Sequence, residues 1–139
     1  MNNTELTEAF LKTNYTILCD DVFKEKVILK IGEIVDFNST IPDLKKWTFI
    51  TAWNPLPEIL SNELNRKRNA DLMNELKENG FKLHLGIGTS EDGKWSEESF
   101  FIENISKEKS HYYAKKYGQI AFVHGKKKHK SELVFTQDL

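Results

Sequence analysis

The sequence predicts an α+β fold with a ferredoxin-like split βαβ core, in the order strand, helix, strand, strand, helix, strand. The prediction depends on two amphipathic helical segments, each flanked by runs rich in β-branched and aromatic residues. Because pairs of strands separate the helices, this fold is favoured over a doubly wound parallel sheet, which needs strict alternation. No linker interrupts the chain, so residues 1–139 are predicted to form a single domain.

The N-terminal part is predicted to extend this core by one helix and one hairpin. A short helix is expected from Thr4 to about Thr13, with the threonine hydroxyl as its N-cap. The runs Tyr15 to Cys19 and Lys26 to Ile31 have the β-branched and aromatic composition of paired strands. One or two helical turns are expected from Ser39 to Lys46.

The predicted core spans Trp47 to Val123. Its six elements are the strand Trp47 to Trp53, the helix Asn62 to Asn79, the strand Phe81 to Ile87, the strand Ser99 to Ile105, a helix that begins after Ser106 and ends at Gly118, and the strand Gln119 to His124. The segment Gly88 to Glu98 is predicted to be a loop with a turn at Asp92-Gly93. A last hairpin strand is expected from Ser131 to Phe135.

Composition and charge exclude several classes of protein. Twenty Lys and Arg against 21 Asp and Glu leave a formal charge of −1, so nothing steers nucleic acid to the chain as a whole. The single cysteine, Cys19, lies in an apolar run and is predicted to be buried in the protein. With no second cysteine to form a disulfide within the chain, a reducing compartment is expected. The N-terminal residues lack the pattern of an export signal, and no apolar run reaches membrane-spanning length. A cytoplasmic location is therefore expected, with no membrane partner.

The predicted topology brings four segments to one end of the sheet, where unusual polar residues occur. On a helical wheel, Asn65 and Asn69 fall within the apolar arc that contains Leu72 and Leu76. Buried amides need partners. Two interpretations stay open: these amides hold the loop that begins at Asn54, or they line a ligand pocket.

Arg68 and the nearby indoles extend the pocket hypothesis. A guanidinium near a helix start suits a carboxylate or phosphate, although a surface pair with Glu97 or Glu98 is the alternative. Trp95 is either a loop anchor or a stacking surface. The predicted ligand-binding residues are Trp53, Asn54, Asn65, Arg68, Asn69, Trp95, Glu98, Ser99 and Gln119.

Other chemistry has weaker support in the sequence. No phosphate-loop, metalloprotease or serine-hydrolase motif is present, so no catalytic residue and no cofactor is predicted. The four histidines form no close pair at helical spacing, which disfavours a metal site. One basic run, composed of Lys126, Lys127, Lys128 and Lys130, is typical of a solvated hairpin turn. A contact with RNA or an acidic partner is its alternative interpretation.

The residues assembled above resemble the bacterial domain-of-unknown-function family 3293. The resemblance depends on an ordered set of motifs: Phe49 to Pro55, Asn65 with Arg68, Asn69 and Leu72, Gly80, Gly86 with Gly88, Asp92 with Gly93 and Trp95, Glu97 to Ser99, Tyr117 to Gln119, and Ala121 to Val123. It extends to Tyr15, and the lysine-rich hairpin departs from it. The family implies small cytoplasmic bacterial proteins and no particular reaction.

Amides, one guanidinium and two indoles suit recognition and include no evident nucleophile. The sequence therefore favours a non-catalytic module that binds a small polar or anionic ligand, or a peptide, over an enzyme. The first alternative is a hydrolase or group-transfer enzyme that uses Glu98 or Glu97 with Arg68. The second is a protein-interaction or inhibitor module.

Overall fold

The computed structural model describes residues 2–55 and 58–137, which form three helices and one seven-stranded antiparallel sheet. The elements are α1 (Asn3–Lys12), β1 (Asn14–Ile17), β2 (Val27–Leu29), β3 (Lys46–Ile50), α2 (Asn62–Glu78), β4 (Leu83–Thr89), β5 (Ser96–Glu103), α3 (Lys107–Lys116), β6 (Ala121–Lys126) and β7 (Glu132–Phe135). The α+β prediction is confirmed.

The strand order is β2-β1-β4-β5-β3-β6-β7, and every neighbouring pair is antiparallel. Strand β5 lies between β3 and β4, so the strands that begin near Trp47 and Phe81 are separated as the sequence predicts. The β1–β2 hairpin continues the sheet beyond β4, and β7 continues it beyond β6. Both predicted hairpin extensions are therefore present.

The helix ends follow the capping residues in the sequence. The Ser61 side chain accepts a hydrogen bond from the Leu64 amide at the start of α2, and Gly80 follows its end with φ +83°. Helix α3 begins after Ser106 in the same way and is followed by Gly118 at φ +70°. At α1 the N-cap is Asn2 rather than Thr4, two residues earlier than predicted.

Two local predictions are wrong. Ser39 to Lys46 forms turns instead of helix: the Phe37 carbonyl accepts from the amides of Thr40 and Ile41, and Pro42 has no amide to continue the pattern. Cys19 is exposed because β1 ends at Ile17, two residues before it.

The hairpin between β4 and β5 is longer than the sequence predicts. Its strands continue to Thr89 and from Ser96, so the predicted loop Gly88 to Glu98 shrinks to six residues. The Ser90 amide donates to the Trp95 carbonyl, and the Asp92 carboxylate accepts from the Ser90 hydroxyl and the Lys94 amide. These bonds close the turn locally, which leaves the residues on either side free to pair as strands.

Both faces of the sheet are covered. On one face, α2 and α3 pack on Ile50, Phe100, Ile102 and Phe122 through their own buried residues, which include Leu72, Leu76, Tyr113 and Ala114. On the other face, the irregular segment between β1 and β3 supplies Phe23, Phe37 and Leu44, which pack on Trp47, Phe49 and Phe101. The alternation along β3 and β5 assigns odd-numbered residues to this second face.

Two glycines on the second face give space to aromatic rings. A Cβ atom at Gly86 would lie 2.7 Å from the Phe49 ring and 2.9 Å from the Thr16 carbonyl oxygen. A Cβ atom at Gly125 would overlap the Trp47 indole. The rings therefore lie directly over the strand backbones, which only glycine permits. Gly88 differs, because a Cβ atom there would make only ordinary contacts of 3.8 Å with Thr13 and 3.9 Å with Tyr15.

Two buried histidines have opposite surroundings. His84 Nδ1 lies 2.5 Å from Asp20 Oδ2, and its Nε2 lies 2.6 Å from Glu103 Oε2, so the ring joins the β1–β2 connection to β5. Burial raises the pKa of Asp20, but hydrogen bonds from His84 and two backbone amides outweigh it and lower the pKa overall. Desolvation lowers the pKa of His124 to about 4. Its Nε2 has no hydrogen-bond partner among the described residues.

A buried hydroxyl chain defines the tautomer of His124. The Ser110 hydroxyl donates to the Ser106 carbonyl oxygen, so Ser110 Oγ accepts from Thr48, 2.6 Å away. Thr48 Oγ1 must then accept from His124 Nδ1, at 2.9 Å. The proton is therefore on Nδ1, and the unpartnered Nε2 is a lone pair rather than a stranded N–H group.

The two glycines of β4 that share one face are predicted to respond oppositely to alanine. Gly86→Ala should lower the free energy of unfolding by about 1 to 3 kcal/mol, because Phe49 and the neighbouring strand leave no room. Gly88→Ala should be neutral or stabilising by about 0.4 to 1 kcal/mol, because it reduces the entropy of the unfolded chain without a clash. Urea denaturation of both variants measures the difference, and equal effects would contradict the packing described here.

Candidate functional site

A polar junction joins the end of β3 to α2, β5 and the turn after α3. Its centre is Asn69, whose Oδ1 accepts from the Ala52 amide and whose Nδ2 donates to the Glu98 carbonyl, both at 2.8 Å. The Thr51 hydroxyl donates to the same Glu98 carbonyl at 2.6 Å and accepts from the Trp53 amide at 3.0 Å. One buried side-chain amide, that of Asn69, thereby fixes the end of β3 to its neighbour β5.

Asn54 and Asn65 form a reciprocal amide pair in this junction. The backbone N–H of Asn54 donates to Asn65 Oδ1, and the side-chain Nδ2 of Asn65 donates to Asn54 Oδ1, each at 2.8 Å. Asn54 Oδ1 also accepts from the Leu60 amide, so its side chain spans the turn before α2. Asn54 has φ +45°, a conformation that asparagine tolerates better than most residues. The predicted loop continues through Leu56 and Pro57, which lie outside the described residues.

Arg68 is directed at main-chain carbonyls. Its Nε donates to the Ala52 carbonyl at 2.8 Å, and its Nη2 donates to the Tyr117 carbonyl. Its guanidinium carbon also lies 5.9 Å from the centre of the Tyr117 ring. Gly118 allows Pro55 to pack closely on the turn after α3, because a Cβ atom at position 118 would lie 2.7 Å from Pro55. The planar fork of arginine therefore joins the ends of β3 and α3, and an anion would have to compete with both carbonyls.

The nine predicted site residues separate into two groups. Trp53, Asn54, Asn65, Arg68, Asn69 and Glu98 belong to the polar junction, where Glu98 contributes its carbonyl and its side chain is exposed. Trp95, Ser99 and Gln119 line a groove beside it. Gln119 also contacts the junction, because its Nε2 donates to the Trp53 carbonyl at 3.1 Å.

The groove, with a volume of about 680 Å³, lies on the second face of the sheet. It is lined mainly by apolar and aromatic residues: Leu6, Ala9, Phe10, Tyr15, Phe49, Trp95, Ala121, Phe122, Val123 and Leu133 are among them. Its polar lining includes Ser99, Gln119 and Glu97. This size and this mixture are typical of sites for small molecules.

Helix α1 forms one wall of the groove and is held at its C-terminal end. The Tyr15 hydroxyl donates to the Phe10 carbonyl at 2.9 Å, and Lys30 Nζ donates to the Lys12 carbonyl at 2.9 Å. The Phe10 ring meets Phe135 of β7 edge-on, with centroids 6.3 Å apart. The helix thus links the β1 and β7 sides of the sheet, although it has no buried residue of its own.

Glu97 is the titratable group that distinguishes this groove. It follows the strand alternation to the groove face, whereas its neighbour Glu98 points to the opposite face, as the sequence predicts for adjacent residues of an extended segment. Desolvation raises the pKa of Glu97 to about 7, and an interaction with the Trp95 indole offsets part of this rise. No ion pair of the described residues includes Glu97.

Sequence reasoning missed most of the groove. From the sequence Glu97 is only an alternative to Glu98, and Tyr15, Phe49 and α1 are not predicted to belong to a site. The alternation of side chains along a strand contains the signal that could have found the groove. Once β4 and β5 are paired, four residues fall on one face of the sheet: Gly86, Gly88, Glu97 and Ser99. The pairing itself was hidden, because the segment that contains Gly88 and Glu97 has the polar composition of a loop.

The remaining candidate features have no comparable setting. The Lys126–Lys130 run forms the β6–β7 turn, where the Lys127 amide donates to the Lys45 carbonyl. A smaller cavity of about 190 Å³ lies beside Lys127, Phe37 and Trp47. Within residues 2–55 and 58–137 no group of His, Cys, Asp and Glu side chains could hold a metal ion, and no helix is long and apolar enough to cross a membrane.

Loss of the central amide should cost stability. Asn69→Leu strands the Ala52 amide and leaves the Glu98 carbonyl with one partner fewer, so we expect a loss of about 1 to 3 kcal/mol in the free energy of unfolding. Asn74→Leu on the exposed side of the same helix is the control and should change stability by less than about 0.5 kcal/mol. A stable Asn69→Leu protein would show that the junction does not hold the strand end.

Glu97 and His124 are predicted to give the free energy of unfolding opposite pH dependences. Glu97 keeps its proton to about pH 7 in the folded chain but loses it near its ordinary value of 4.5 when unfolded, so its contribution falls as pH rises between these values. His124 has a folded pKa of about 4 and an ordinary value of 6.5, so its contribution rises with pH across that window. The two slopes oppose each other from about pH 4.5 to 6.5.

Single substitutions of Glu97 and His124 should separate the two pH dependences of the free energy of unfolding. Glu97→Gln should leave stability rising with pH by up to about 1.4 kcal/mol per unit, and His124→Gln should leave it falling. Urea denaturation at several pH values between 4.5 and 6.5 measures both, with Glu98→Gln as the control for loss of one surface charge. If the Glu97→Gln curve runs parallel to that of the wild type, Glu97 does not retain its proton in the groove.

Comparison with known proteins places this chain in a family without giving it an activity. Neither a curated protein nor a solved structure matches the sequence. A family model described as "Protein of unknown function (DUF3293)" matches residues 50–122, which is more than half of the 139 residues. The match contains most of the polar junction and the β4–β5 hairpin with Glu97, whereas Tyr15 and α1 lie outside it. The chain belongs to the DUF3293 family.

Proposed function

We propose that this protein is a small-molecule-binding domain whose ligand occupies the groove between α1 and the sheet. The observation that carries the proposal is a largely apolar groove of about 680 Å³ with the carboxyl group of Glu97 in its lining. Monomeric proteins seldom keep such an apolar surface open without a use. The half-exposed Trp95 at the rim offers an indole to a flat ligand, which supports the stacking interpretation of this residue.

The polar junction has a supporting role in this proposal. It holds the start of β5 in place, since Asn69 and Thr51 both donate to the Glu98 carbonyl next to Ser99, and it holds Gln119, which donates to the Trp53 carbonyl. The donors of Asn65 and Arg68 are directed at protein acceptors. We therefore place the ligand on the groove side, against Trp95, Ser99 and Gln119, and not on the guanidinium.

The binding proposal is tested by a fragment screen that reads amide chemical shifts of the labelled protein. We expect hits to shift the amides of β5 and α1 together and to lose at least tenfold in affinity with Gly88→Leu. This change fills the groove beside Tyr15 and Glu97, which are the cross-strand neighbours of Gly88. Thr89→Leu places a leucine side chain on the other face of the same strand and should leave binding unchanged.

Trp95→Ala should weaken hits that stack on the rim, and Tyr112→Ala, an exposed aromatic of α3, is its control. Fragments that bind wild type and Gly88→Leu equally, or that shift only residues outside the groove, would overturn the proposal.

An enzyme is the second candidate, because a carboxyl group with a pKa near 7 in a groove suits general acid or base catalysis. The hydrolase or group-transfer hypothesis would then depend on Glu97 and not on Glu98, whose side chain faces away. Arg68 would have to leave the Ala52 and Tyr117 carbonyls to act as an anion clamp. Turnover of model esters that is lost in Glu97→Gln and kept in Glu98→Gln would favour this candidate.

We further infer a ferredoxin-like core within the larger sheet. Its support is the order β6-β3-β5-β4 with α2 and α3 on one face, which is the arrangement that the sequence predicts. The cytoplasmic location, the bacterial origin and the protein-interaction or inhibitor alternative stay predictions of the sequence.

A further inference from the structure

We propose that the groove selects an organic cation: an apolar or aromatic molecule whose protonated amine or amidine pairs with the Glu97 carboxylate. This inference rests on the proposed function and adds the charge class of the ligand. It reverses the anionic preference that Arg68 suggests from sequence, because the acidic side chain, and not the guanidinium, lies in the groove lining.

The charges around the groove favour a cation. Among the described residues that line it, Glu91, Asp92 and Glu97 are acidic, and Lys12 alone is basic. The lining therefore has a formal charge of −2 when all four are ionised, although the whole chain has only −1. Concave sites with one sign of charge attract ligands of the opposite sign. An anionic ligand would meet the Glu97 carboxylate with Lys12 as its one favourable charge.

Glu97 lacks the partner that a cation would supply. Its cross-strand neighbour on β4 is Gly88, which has no side chain. On the other side the β3–β5 pairing ends at Ile50 and Phe100, so no β3 residue is paired with Glu97. A desolvated carboxylate is unfavourable until a positive charge reaches it, and a ligand cation in the groove would provide one.

Aromatic rings around the carboxyl group add to the preference for a cation. Trp95, Tyr15, Phe10 and Phe49 all line the groove. Ring faces attract ammonium and guanidinium groups, most strongly where water is displaced. The same rings bury the apolar body of the ligand, so one molecule that combines a hydrophobic ring with a positive group satisfies both halves of the groove.

The test uses one ring system in three charge states on the full chain: tryptamine, its neutral alcohol analogue tryptophol, and indole-3-propionate. A panel of other aromatic and aliphatic amines with their alcohol and carboxylate analogues is measured in parallel. Binding is followed by amide chemical shifts at pH 7.5. We expect the amines to bind at least tenfold more tightly than the alcohols, and the carboxylates most weakly.

Two variants test the partner of the cation. Glu97→Gln keeps the shape of the side chain and should remove the preference for amines over alcohols, while alcohols bind as before. Glu98→Gln removes the same charge one residue away, on the opposite face, and should keep the preference. Amine affinity should also rise with pH between 5.5 and 7.5, because the cation competes with the proton on Glu97; Tyr15, Lys12, Glu91 and Asp92 are the other titratable groups that line the groove.

The outcomes separate this inference from the proposed function. If alcohols or carboxylates bind in the groove as tightly as the amines, the cation inference is wrong and the binding site stands. If no member of any charge class shifts the groove residues, both proposals fail. An amine preference that survives Glu97→Gln would assign the selection to another group and overturn the role of Glu97.

Discussion

The interior strand β3 is buried on both faces, and the rest of the structure follows from the need to cover both. Trp47 and Phe49 point to one face, and Thr48 and Ile50 to the other. Two helices cover the Thr48 side. The Trp47 side has no helix at its centre, and the irregular segment between β1 and β3 covers it with Phe23, Phe37 and Leu44. This cover does not extend to the end of the sheet where β5 begins, and the groove occupies that end, under α1.

Two kinds of polar group lie close together at that end, and they differ in the partners that the fold gives them. In the polar junction, the amides of Asn54, Asn65 and Asn69 have protein partners at about 2.8 Å. If apolar residues replaced these asparagines, backbone N–H and carbonyl groups would lose their hydrogen-bond partners. This cost explains why Asn65 and Asn69 occupy positions of α2 where a core would favour leucine. In the groove, Glu97 is partly buried and has no ion-pair partner among the described residues, and its interaction with the Trp95 indole offsets only part of the rise in its pKa.

The sequence predicted the elements well where a local signal exists. Capping serines, C-terminal glycines and the two helical periods located α2 and α3 to within a residue or two. It failed where tertiary pairing decides. Ser96 to Glu98 looks like loop, yet it pairs with β4 because Ser90 and Asp92 close a tighter turn. The groove was invisible for the same reason, since its face exists only after Gly88 and Glu97 are aligned, and its wall comes from α1, far away in sequence.

Glu97 contrasts with other acidic groups to which this fold supplies partners. Asp20 and Glu103 share His84, and Glu75 accepts from Lys116 and from the Tyr117 hydroxyl, so hydrogen bonds lower the pKa of Asp20 and of Glu75. The fold thus supplies partners to acidic side chains elsewhere. At Glu97 the neighbouring position is a glycine that has room for a side chain, and the pKa rises. A residue at position 88 could have filled this space or paired the charge, so the room at Gly88 and the raised pKa of Glu97 are two features of one surface, and both support the binding proposal.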